Sequence, residues 1–325
     1  MQTEVGAWLR RRTTSGQDWD REELARAKTD TTISVVLPAR NEAGTVGIIV
    51  DELRRELIER VPLIDELVVM DSGSVDETAV VAAEAGARVV RQSDVLAPLV
   101  DQPGKGEALW KSLYVTRGDV VVFIDADLEQ FDPQFAVGLM GPLLADPTVE
   151  FVKAFYDRPL QAGQTILPAG GGRVTELMAR PLLNLHWPQL AGFVQPLAGE
   201  YAGRRSLLER VPFMSGYGVE IAMLVDVFEL AGLPAMVQVD LGSRRHRNSS
   251  DAALGQMAAQ VYLALLSRIE RHGLGMLTVD ASHELIQFTR DGSSFIPTTT
   301  DIGIIERPPM VDVAEYLTRA MEIPG

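Results

Sequence analysis

The chain contains no cysteine among its 325 residues. Disulfide bonds, thiolate nucleophiles and zinc sites built on thiolates are therefore excluded. Basic residues are also scarce: 30 lysines and arginines stand against 45 aspartates and glutamates, so the formal net charge is −15. Proteins that bind nucleic acid or membrane surfaces in general are normally basic, and we expect neither kind of partner. In so acidic a chain, local clusters of positive charge become informative.

Long apolar runs are missing as well. No stretch approaches the roughly 20 apolar residues that cross a bilayer. The first 28 residues carry mixed charge and have no apolar core of the kind that signal peptides have. We therefore expect no membrane association and a cytoplasmic location.

Strand and helix patterns alternate through the first half of the chain. The apolar patterns predict strands at residues 33–37, 67–70, 87–90 and 119–125, and helices at residues 45–60, 74–86, 107–116 and 133–145. Ser74 and Glu77 have the spacing of a capping box at the start of the second helix. Such alternation, with crossover-length spacing, implies a parallel sheet built from right-handed βαβ units.

The second half of the chain is less regular. Strands are predicted at residues 150–156 and 235–241, and a long amphipathic helix at residues 251–271. Gly199-Glu200-Tyr201 and Gly216-Tyr217-Gly218 are interpreted as turns. Beyond residue 275 we expect only partial order.

An apolar strand leads directly into Asp125-Ala126-Asp127. If the strand continues that far, both carboxylates point to the same side and the small Ala126 keeps the space between them open. Paired carboxylates are hard oxygen ligands that suit Mg²⁺ or Mn²⁺. The alternative is that the two aspartates only end the strand and start a turn.

Polar segments also occupy the other strand ends, at Pro38–Glu42, at Asp71–Ser74 and around Lys105. The carboxyl ends of parallel strands meet at one edge of a sheet, so we expect a ligand site there. Lys105 lies between two glycines at a helix start, which suits an anion, although a flexible surface turn is the alternative. The chain has neither a Walker A loop nor Gly-x-Gly-x-x-Gly after the first strand, which disfavours a dinucleotide-binding dehydrogenase.

Three groups in the second half are further candidates. Gly170-Gly171-Gly172 would let backbone approach a ligand that Arg173 and Thr175 could bind, or it forms a mobile loop. His246 lies in the densest basic cluster, residues 244–248, and either completes a metal site with the aspartates or is structural. Glu220 begins a helix, where it either complements the helix dipole or orients a sugar hydroxyl.

Together these segments resemble a GT-A glycosyltransferase. Val35–Glu42 resembles the nucleotide-binding opening of that superfamily, and Asp125-Ala126-Asp127 resembles its DxD motif. Six other segments narrow the resemblance to the glucosyl-3-phosphoglycerate and mannosyl-3-phosphoglycerate synthases: Asp71–Ser74, Pro103–Leu109, Gly170–Glu176, Gln195–Tyr201, Gly216–Glu220 and His246–Asn248. The resemblance extends over about residues 30–270.

The resemblance implies an α/β fold, with a GT-A type, Rossmann-like, mixed and mainly parallel sheet flanked by helices. We expect the chain to divide into a lead-in at residues 1–30, a nucleotide-sugar-binding half at 31–130, an acceptor-binding half of the same domain at 131–272, and a tail at 273–325 as the candidate for dimer contacts. A homodimer is the expected assembly. The implied reaction is a metal-dependent, retaining transfer of glucose or mannose from a UDP- or GDP-sugar to the 2-hydroxyl of 3-phospho-D-glycerate.

Residue roles follow from the same resemblance. The nucleotide sugar would be bound by Pro38, Ala39, Arg40, Glu42, Ser72, Lys105, Asp125, Ala126 and Glu220. Asp125, Asp127 and His246 would hold Mg²⁺, with Mn²⁺ or another divalent ion as alternatives. The acceptor would be bound by Gly172, Arg173, Thr175, Tyr217 and Asn248. Asp127, Lys105 and the backbone carbonyl of Leu197 would act in catalysis.

Two other functions are also compatible with the sequence. A nucleotidyltransferase also binds a nucleotide and a metal at such a sheet edge, and it would release pyrophosphate from a nucleoside triphosphate. A non-catalytic sensor of nucleotide sugars would bind the ligand without turnover and would not need Asp127.

Overall fold

The computed structural model describes residues 2–157, 160–162, 165–167, 172–243, 250–275, 281–291 and 294–321. Its strands are β1 (Thr13–Ser15), β2 (Ile33–Ala39), β3 (Glu66–Asp71), β4 (Arg88–Arg91), β5 (Val120–Phe123), β6 (Phe151–Asp157), β7 (Leu160–Ala162), β8 (Thr165–Leu167), β9 (Tyr201–Arg204), β10 (Phe213–Met214), β11 (Met236–Ser243), β12 (Glu284–Asp291), β13 (Ser294–Asp301) and β14 (Glu306–Arg307).

The α-helices are α1 (Thr3–Arg11), α2 (Arg21–Lys28), α3 (Val46–Arg54), α4 (Thr78–Glu84), α5 (Lys105–Val115), α6 (Gln134–Ala145), α7 (Arg180–His186), α8 (Arg205–Leu208), α9 (Val219–Ala231), α10 (Asp251–Arg271) and α11 (Ala314–Met321). Two of them adjoin π-helical turns: α3 continues into Arg55–Arg60, and α7 is preceded by Thr175–Ala179. In the described ranges, no helix combines the length and the apolar character needed to span a bilayer.

A single eight-stranded sheet organises the molecule, in the order β1-β11-β6-β9-β5-β2-β3-β4. All neighbouring pairs are parallel except the two that β9 makes with β5 and β6. Every residue of β5 is buried, as expected for an apolar strand at the centre of a sheet covered on both faces. The mixed, mainly parallel sheet confirms the predicted fold class.

Helices cover both faces of this sheet, and the sheet separates two apolar cores. One core includes Leu109 of α5, Leu224 of α9 and Leu265 of α10. The other includes Leu53 of α3 and Leu139 of α6. The carboxyl ends of the parallel strands therefore lie at one edge of a sheet that is packed on both faces.

The N-terminal lead-in is part of the sheet, where the sequence predicted no strand. β1 pairs in parallel with β11, placing Thr13 opposite Gln238. Trp8 is buried and its indole N–H donates to the carbonyl of Met236 at 2.8 Å. The three residues of β1 are too few for an alternating pattern to reveal them.

Residues 199–204 also differ from the prediction. Tyr201–Arg204 is not a turn but the antiparallel strand β9 in the middle of the sheet. A four-residue strand that contains Gly203 and ends in arginine carries no strong periodic signal. Its insertion places residues 198–200 directly beside the end of β5.

The tail is more ordered than the prediction of partial order implied. β12 and β13 form an antiparallel hairpin, and β14 pairs with β10. Ser215 and Ile305 exchange two hydrogen bonds of 2.8 Å, from the Ser215 N–H to the Ile305 carbonyl and from the Ile305 N–H to the Ser215 hydroxyl. Arg268 is fully buried and pairs with Asp226 and Glu306, which fastens β14 to the helical layer.

Candidate active site

The loops after β2 and β3 are hydrogen-bonded to each other. The Ser72 N–H donates to the Ala39 carbonyl at 2.9 Å, and the Asn41 N–H donates to the Ser74 hydroxyl at 3.0 Å. Asn41 has a left-handed backbone with φ of 58°, a conformation that asparagine tolerates better than most residues. The predicted capping box is wrong: α4 starts at Thr78, and Ser74 ties the two loops together instead.

The same loops reach the turn after β5. Thr45 donates from its hydroxyl to the Ala126 carbonyl at 2.6 Å in a buried contact, and the Glu42 N–H donates to the Thr78 hydroxyl at 2.7 Å. Among the residues predicted to bind the nucleotide sugar, Ala39 is buried, Pro38 is half-buried and Arg40 is exposed. The predicted gathering of strand ends is therefore present in the structure.

Asp125 and Asp127 do not lie on the strand, because β5 ends at Phe123. They occupy the turn that follows, so strand alternation does not set their directions. Asp125 is half-buried, Ala126 is buried and Asp127 is exposed. The structure thus gives the two carboxylates different surroundings.

Lys105 is the centre of a compact charge cluster. Its ammonium contacts Asp125 Oδ1 at 2.5 Å and Glu220 Oε1 at 3.2 Å, and donates to the Gly199 carbonyl at 2.8 Å. Burial opposes the charge on Lys105, but the carboxylates of Asp125 and Glu220 outweigh it and raise its pKa. Lys105 therefore stays protonated, and it joins the helix α5, the β5 turn and the helix α9 at one point.

A second lysine, for which the sequence pattern predicted no role, lies beside this cluster. Lys153 of β6 is 1% exposed, donates to the Ala198 carbonyl at 2.7 Å and lies 4.7 Å from the centre of the Tyr201 ring. The Tyr201 hydroxyl is buried without a hydrogen-bond partner among the described residues. A lone lysine inside the apolar strand Phe151–Asp157 is the signal that could have identified it.

The two lysines clamp the segment that contains Leu197. Lys153 binds the carbonyl of Ala198 and Lys105 binds the carbonyl of Gly199. On the other side of Leu197, the Gln195 side chain donates to the Tyr156 carbonyl of β6. The backbone around Leu197, itself half-buried, is thus fixed from both ends.

The residues predicted to bind the acceptor lie against α10. Arg173 pairs with Asp251, in the first turn of that helix, at 2.6 Å. Thr175 is buried, and Gly172 has a φ of 101°, a conformation that favours glycine. Tyr217 is half-exposed, and its N–H donates to the Gln260 side chain of α10 at 3.0 Å. His246 and Asn248 fall outside the described residues.

Comparison with known proteins shows the family of the chain. A family model described as Glycosyl transferase family 2 matches residues 34–161. Glucosyl-3-phosphoglycerate synthase from Mycolicibacterium smegmatis is 47% identical over 305 residues, covering 93% of this chain and 97% of the relative. Glucosyl-3-phosphoglycerate synthase from Petrotoga mobilis is 45% identical over 291 residues, covering 90% of each chain. The chain belongs to the glucosyl-3-phosphoglycerate synthase family.

Solved structures agree with this membership. Mannosyl-3-phosphoglycerate synthase from Rubrobacter xylanophilus superposes with a TM-score of 0.88 at 42% identity, covering 95% of this chain and 99% of the other. Glucosyl-3-phosphoglycerate synthase from Mycobacterium tuberculosis, in complex with Mn²⁺, UDP-glucose and phosphoglyceric acid, gives a TM-score of 0.79 at 44% identity, covering 90% and 95%. The predicted membership in a family of metal-dependent glycosyltransferases is confirmed.

The residues of this family member fit a divalent ion in part. Within the described ranges, no group of three or more histidine, cysteine, aspartate or glutamate side chains is placed to hold a metal. Asp125 and Asp127 supply two carboxylates on one short turn, and these are the hard ligands that Mg²⁺ and Mn²⁺ prefer. Such ions bind through one or two carboxylates together with substrate phosphates, so this donor set fits an ion shared with a diphosphate.

In this glucosyl-3-phosphoglycerate synthase homologue, Gly199→Ala is expected to lower kcat/KM by about 10²-fold with little loss of stability. A Cβ at residue 199 would lie 2.2 Å from Asp125 Oδ2 and 2.7 Å from Lys105 Nζ. Both atoms end flexible side chains and can move, but a displacement of about 1 Å in a reacting site costs that much activity. Steady-state kinetics and thermal unfolding test this. Gly16→Ala, where the nearest atoms are 3.4 Å away, is the control. Unchanged kinetics in Gly199→Ala would contradict the geometry.

Lys153 is expected to make the stability of the metal-free protein depend on pH. Burial lowers its pKa from 10.5 to about 7; Lys105 adds to this, while Glu220, Glu200 and Asp125 oppose it. Between about pH 7 and 10.5 the unfolded chain therefore binds a proton that the folded chain lacks, so the free energy of unfolding rises with pH there. Below pH 7 the full burial cost remains.

Urea unfolding at pH 7 to 9 of wild type and Lys153→Met measures this effect. The wild-type free energy of unfolding should rise relative to the variant by up to about 1.4 kcal/mol per pH unit. Parallel pH dependences in the two proteins would show that Lys153 is charged in the folded state at those pH values.

Proposed function

We propose that this chain transfers a hexose from a nucleotide sugar to the 2-hydroxyl of 3-phospho-D-glycerate, with retention of anomeric configuration. The contact of Lys105 with both Asp125 and Glu220 carries the proposal. It joins the turn after β5, where a diphosphate and its metal would lie, to the helix that would read the sugar. Relatives that match about nine-tenths of the chain are glucosyl-3-phosphoglycerate synthases, so glucose is the donor sugar to test first.

The donor site in this proposal lies at the carboxyl ends of β2, β3 and β5. Pro38, Ala39, Arg40, Glu42 and Ser72 would bind the base and ribose, and Ala126 would leave room beside the ribose and diphosphate. Asp125, Asp127 and His246 would hold a divalent ion, which supplies charge stabilisation to the leaving diphosphate when bound. Glu220, with 12% of its side chain exposed, would accept hydrogen bonds from sugar hydroxyls.

The acceptor site would be formed by Gly172, Arg173, Thr175, Tyr217 and Asn248. Arginine offers a planar fork that matches phosphate and carboxylate groups. Phosphoglycerate carries about three negative charges, so holding it against the donor in this acidic chain requires such local positive charge. The ion pair of Arg173 with the exposed Asp251 would be exchanged for the acceptor.

The transfer is proposed to occur on one face of the sugar. The bond from the anomeric carbon to the diphosphate breaks, the 2-hydroxyl oxygen of the acceptor bonds to the same face, and its proton passes to the departing phosphate oxygen. The Leu197 carbonyl, fixed by the lysine clamp, would stabilise the positive charge that develops at the anomeric carbon. Trapping a covalent glycosyl–enzyme on any carboxylate would overturn this mechanism.

A homodimer and a cytoplasmic location stay part of the proposal. The hairpin β12–β13 exposes the apolar side chains of Ile286, Phe288 and Ile296, which supports the predicted role of the tail in dimer contacts. Sedimentation velocity of wild type and of a variant with Phe288→Ser and Ile286→Ser tests it. A double variant that keeps the wild-type assembly state would remove the tail from the interface.

The deciding experiment supplies 3-phosphoglycerate with UDP-glucose, GDP-glucose or GDP-mannose, each with Mg²⁺ or with EDTA, and detects the glycosylated acid. Metal-dependent product with one donor identifies both reaction and sugar. Release of pyrophosphate from a nucleoside triphosphate would favour a nucleotidyltransferase instead. Binding of a nucleotide sugar without product from any donor would favour a sensor.

A further inference from the structure

We propose that Gln92 is a positioning residue that fixes the direction of the hydrogen bond made by Ser72, so that the site selects nucleotide bases with a ring N–H. This inference rests on the proposed function, in which Ser72 contacts the base. Gln92 lies outside the strand-end motifs, in the short helical turn Gln92–Asp94 that follows β4.

The direction of the hydrogen bond between Ser72 and Gln92 depends first on a buried ammonium group, that of Lys111. Lys111 of α5 is fully buried. Its Nζ contacts Asp101 Oδ1 at 2.6 Å and donates to the backbone carbonyl of Gln92 at 3.1 Å. An ionised carboxylate only accepts hydrogen bonds. Asp101, held in this ion pair, therefore acts as an acceptor toward every other neighbour.

The Gln92 side chain is then oriented by two acceptors. It is 3% exposed, and its Nε2 donates to Asp101 Oδ2 at 3.0 Å and to the Gln102 carbonyl at 3.3 Å. Rotating the amide by 180° would place its oxygen against both acceptors, and Asp101 Oδ2 would lose the donor that Gln92 supplies, although Asp101 Oδ1 would keep Lys111. The amide oxygen consequently faces Ser72, at 2.8 Å from the hydroxyl oxygen.

An amide oxygen can only accept, so the hydroxyl proton of Ser72 is used in this contact. What Ser72 presents to a ligand is then lone pairs alone. Ser72 is half-buried at the end of β3, where its N–H bonds the Ala39 carbonyl. A base with a ring N–H, such as N3–H of uracil or N1–H of guanine, can donate to it. Cytosine has an acceptor at N3, so the lone pair of N3 would face the lone pairs of the Ser72 hydroxyl oxygen and no hydrogen bond would form there.

Calorimetric binding of UDP and CDP in the presence of MnCl₂ tests the proposal. Wild type should bind UDP at least about tenfold more tightly than CDP, the size expected for one hydrogen bond exchanged for an unpaired acceptor. UDP methylated at N3 should bind as weakly as CDP. In Gln92→Leu the Ser72 hydroxyl is free to rotate and to donate. The affinity for CDP should therefore rise, and the preference for UDP over CDP should become smaller.

The rise in CDP affinity is the informative result, because a damaged fold weakens both ligands. Gln134→Leu is the matched control: Gln134 also donates from Nε2 to two carbonyls, those of Gly16 and Trp19, both at 2.8 Å, and accepts from Arg21 at 3.1 Å. It should keep the wild-type preference. Thermal unfolding of both variants shows whether they are folded.

Three results would overturn the proposal. They are equal wild-type affinity for UDP and CDP, equal affinity for UDP and its N3-methyl derivative, and a folded Gln92→Leu variant that keeps the wild-type ratio of UDP affinity to CDP affinity. These results leave the proposed transfer reaction intact, since UDP still binds. Failure of wild type to bind UDP at all would instead reject the donor site and the present inference together.

Discussion

Replacing Lys105 with methionine is expected to lower kcat/KM for hexosyl transfer by at least about 10³-fold. The substitution leaves Asp125 and Glu220 facing each other without the ammonium that now contacts both, at 2.5 and 3.2 Å. It also releases the Gly199 carbonyl, which Lys105 holds at 2.8 Å next to the proposed catalytic carbonyl of Leu197. Charge stabilisation and positioning are lost in one step, and each is worth orders of magnitude in rate.

The same substitution should destabilise the protein by about 3 kcal/mol, because removing one partner of a largely buried ion pair leaves uncompensated charge. Lys105→Arg keeps the charge but not the compact ammonium, so it should recover stability more than activity. Lys28→Met is a matched control: Lys28 is buried and pairs with Asp65 at 2.7 Å, and it belongs to α2 in the lead-in. It should cost stability and leave kcat/KM nearly unchanged.

Kinetics and urea unfolding on the three variants separate the two effects. A Lys105→Met protein that is folded and retains more than a tenth of the wild-type kcat/KM would exclude Lys105 from the reaction. Equal losses of activity in Lys105→Met and Lys28→Met would mean that activity follows stability alone.

Asp127→Asn is expected to abolish metal-dependent activity while leaving the fold intact. Asp127 is exposed in the turn after β5, so its substitution should change the free energy of unfolding by no more than about 0.5 kcal/mol. The amide that replaces it is a neutral ligand, and the proposed metal site would lose one of the two carboxylates of this turn. We expect kcat/KM to fall by at least about 10³-fold, comparable to the effect of EDTA on wild type.

Titration of Mn²⁺ in the presence of UDP, followed by electron paramagnetic resonance, gives a readout that does not depend on turnover. Wild type should take up the ion with UDP, and Asp127→Asn should need a much higher concentration. Glu129→Gln, which removes an exposed carboxylate two residues away, is the control and should titrate as wild type. If Asp127→Asn bound Mn²⁺ as tightly as wild type does, Asp127 would not be a metal ligand and other residues would hold the ion.

The sequence predicted the elements whose pattern is long and regular. The parallel strands β2, β3 and β5 and the helices between them were predicted because buried apolar runs and amphipathic helices leave periodic signals. The short strands β1 and β9 were not, because their partners lie far away in the chain: Thr13 pairs with Gln238 and Val120 with Arg204. Nothing local to three or four residues specifies such pairing.

The candidate site shows the same division. Motif residues at strand ends were predicted to gather, and the contact of Lys105 with Asp125 shows that two of them do. Glu220, predicted at a helix start, joins them through Lys105. Lys153 and Gln92 were missed because their roles depend on burial and on neighbours 45 and 20 residues away in sequence, the Ala198 carbonyl and Ser72. A polar side chain in a strand or turn becomes informative only when its partners are known.

The packing of helix α5 depends on residues of the tail, which are synthesised much later. Arg307 pairs with the buried Glu107 at 2.7 Å across 200 residues of sequence, and Trp110 donates to the Pro308 carbonyl at 2.8 Å. Glu107 and Trp110 lie on α5, the helix that begins at Lys105. During synthesis, the helix that carries Lys105 cannot reach its final packing until residues 307 and 308 have left the ribosome. A nascent chain released before that point would keep a buried carboxylate without its arginine, and premature termination anywhere upstream of Arg307 should yield substrates for proteolysis rather than partial enzymes.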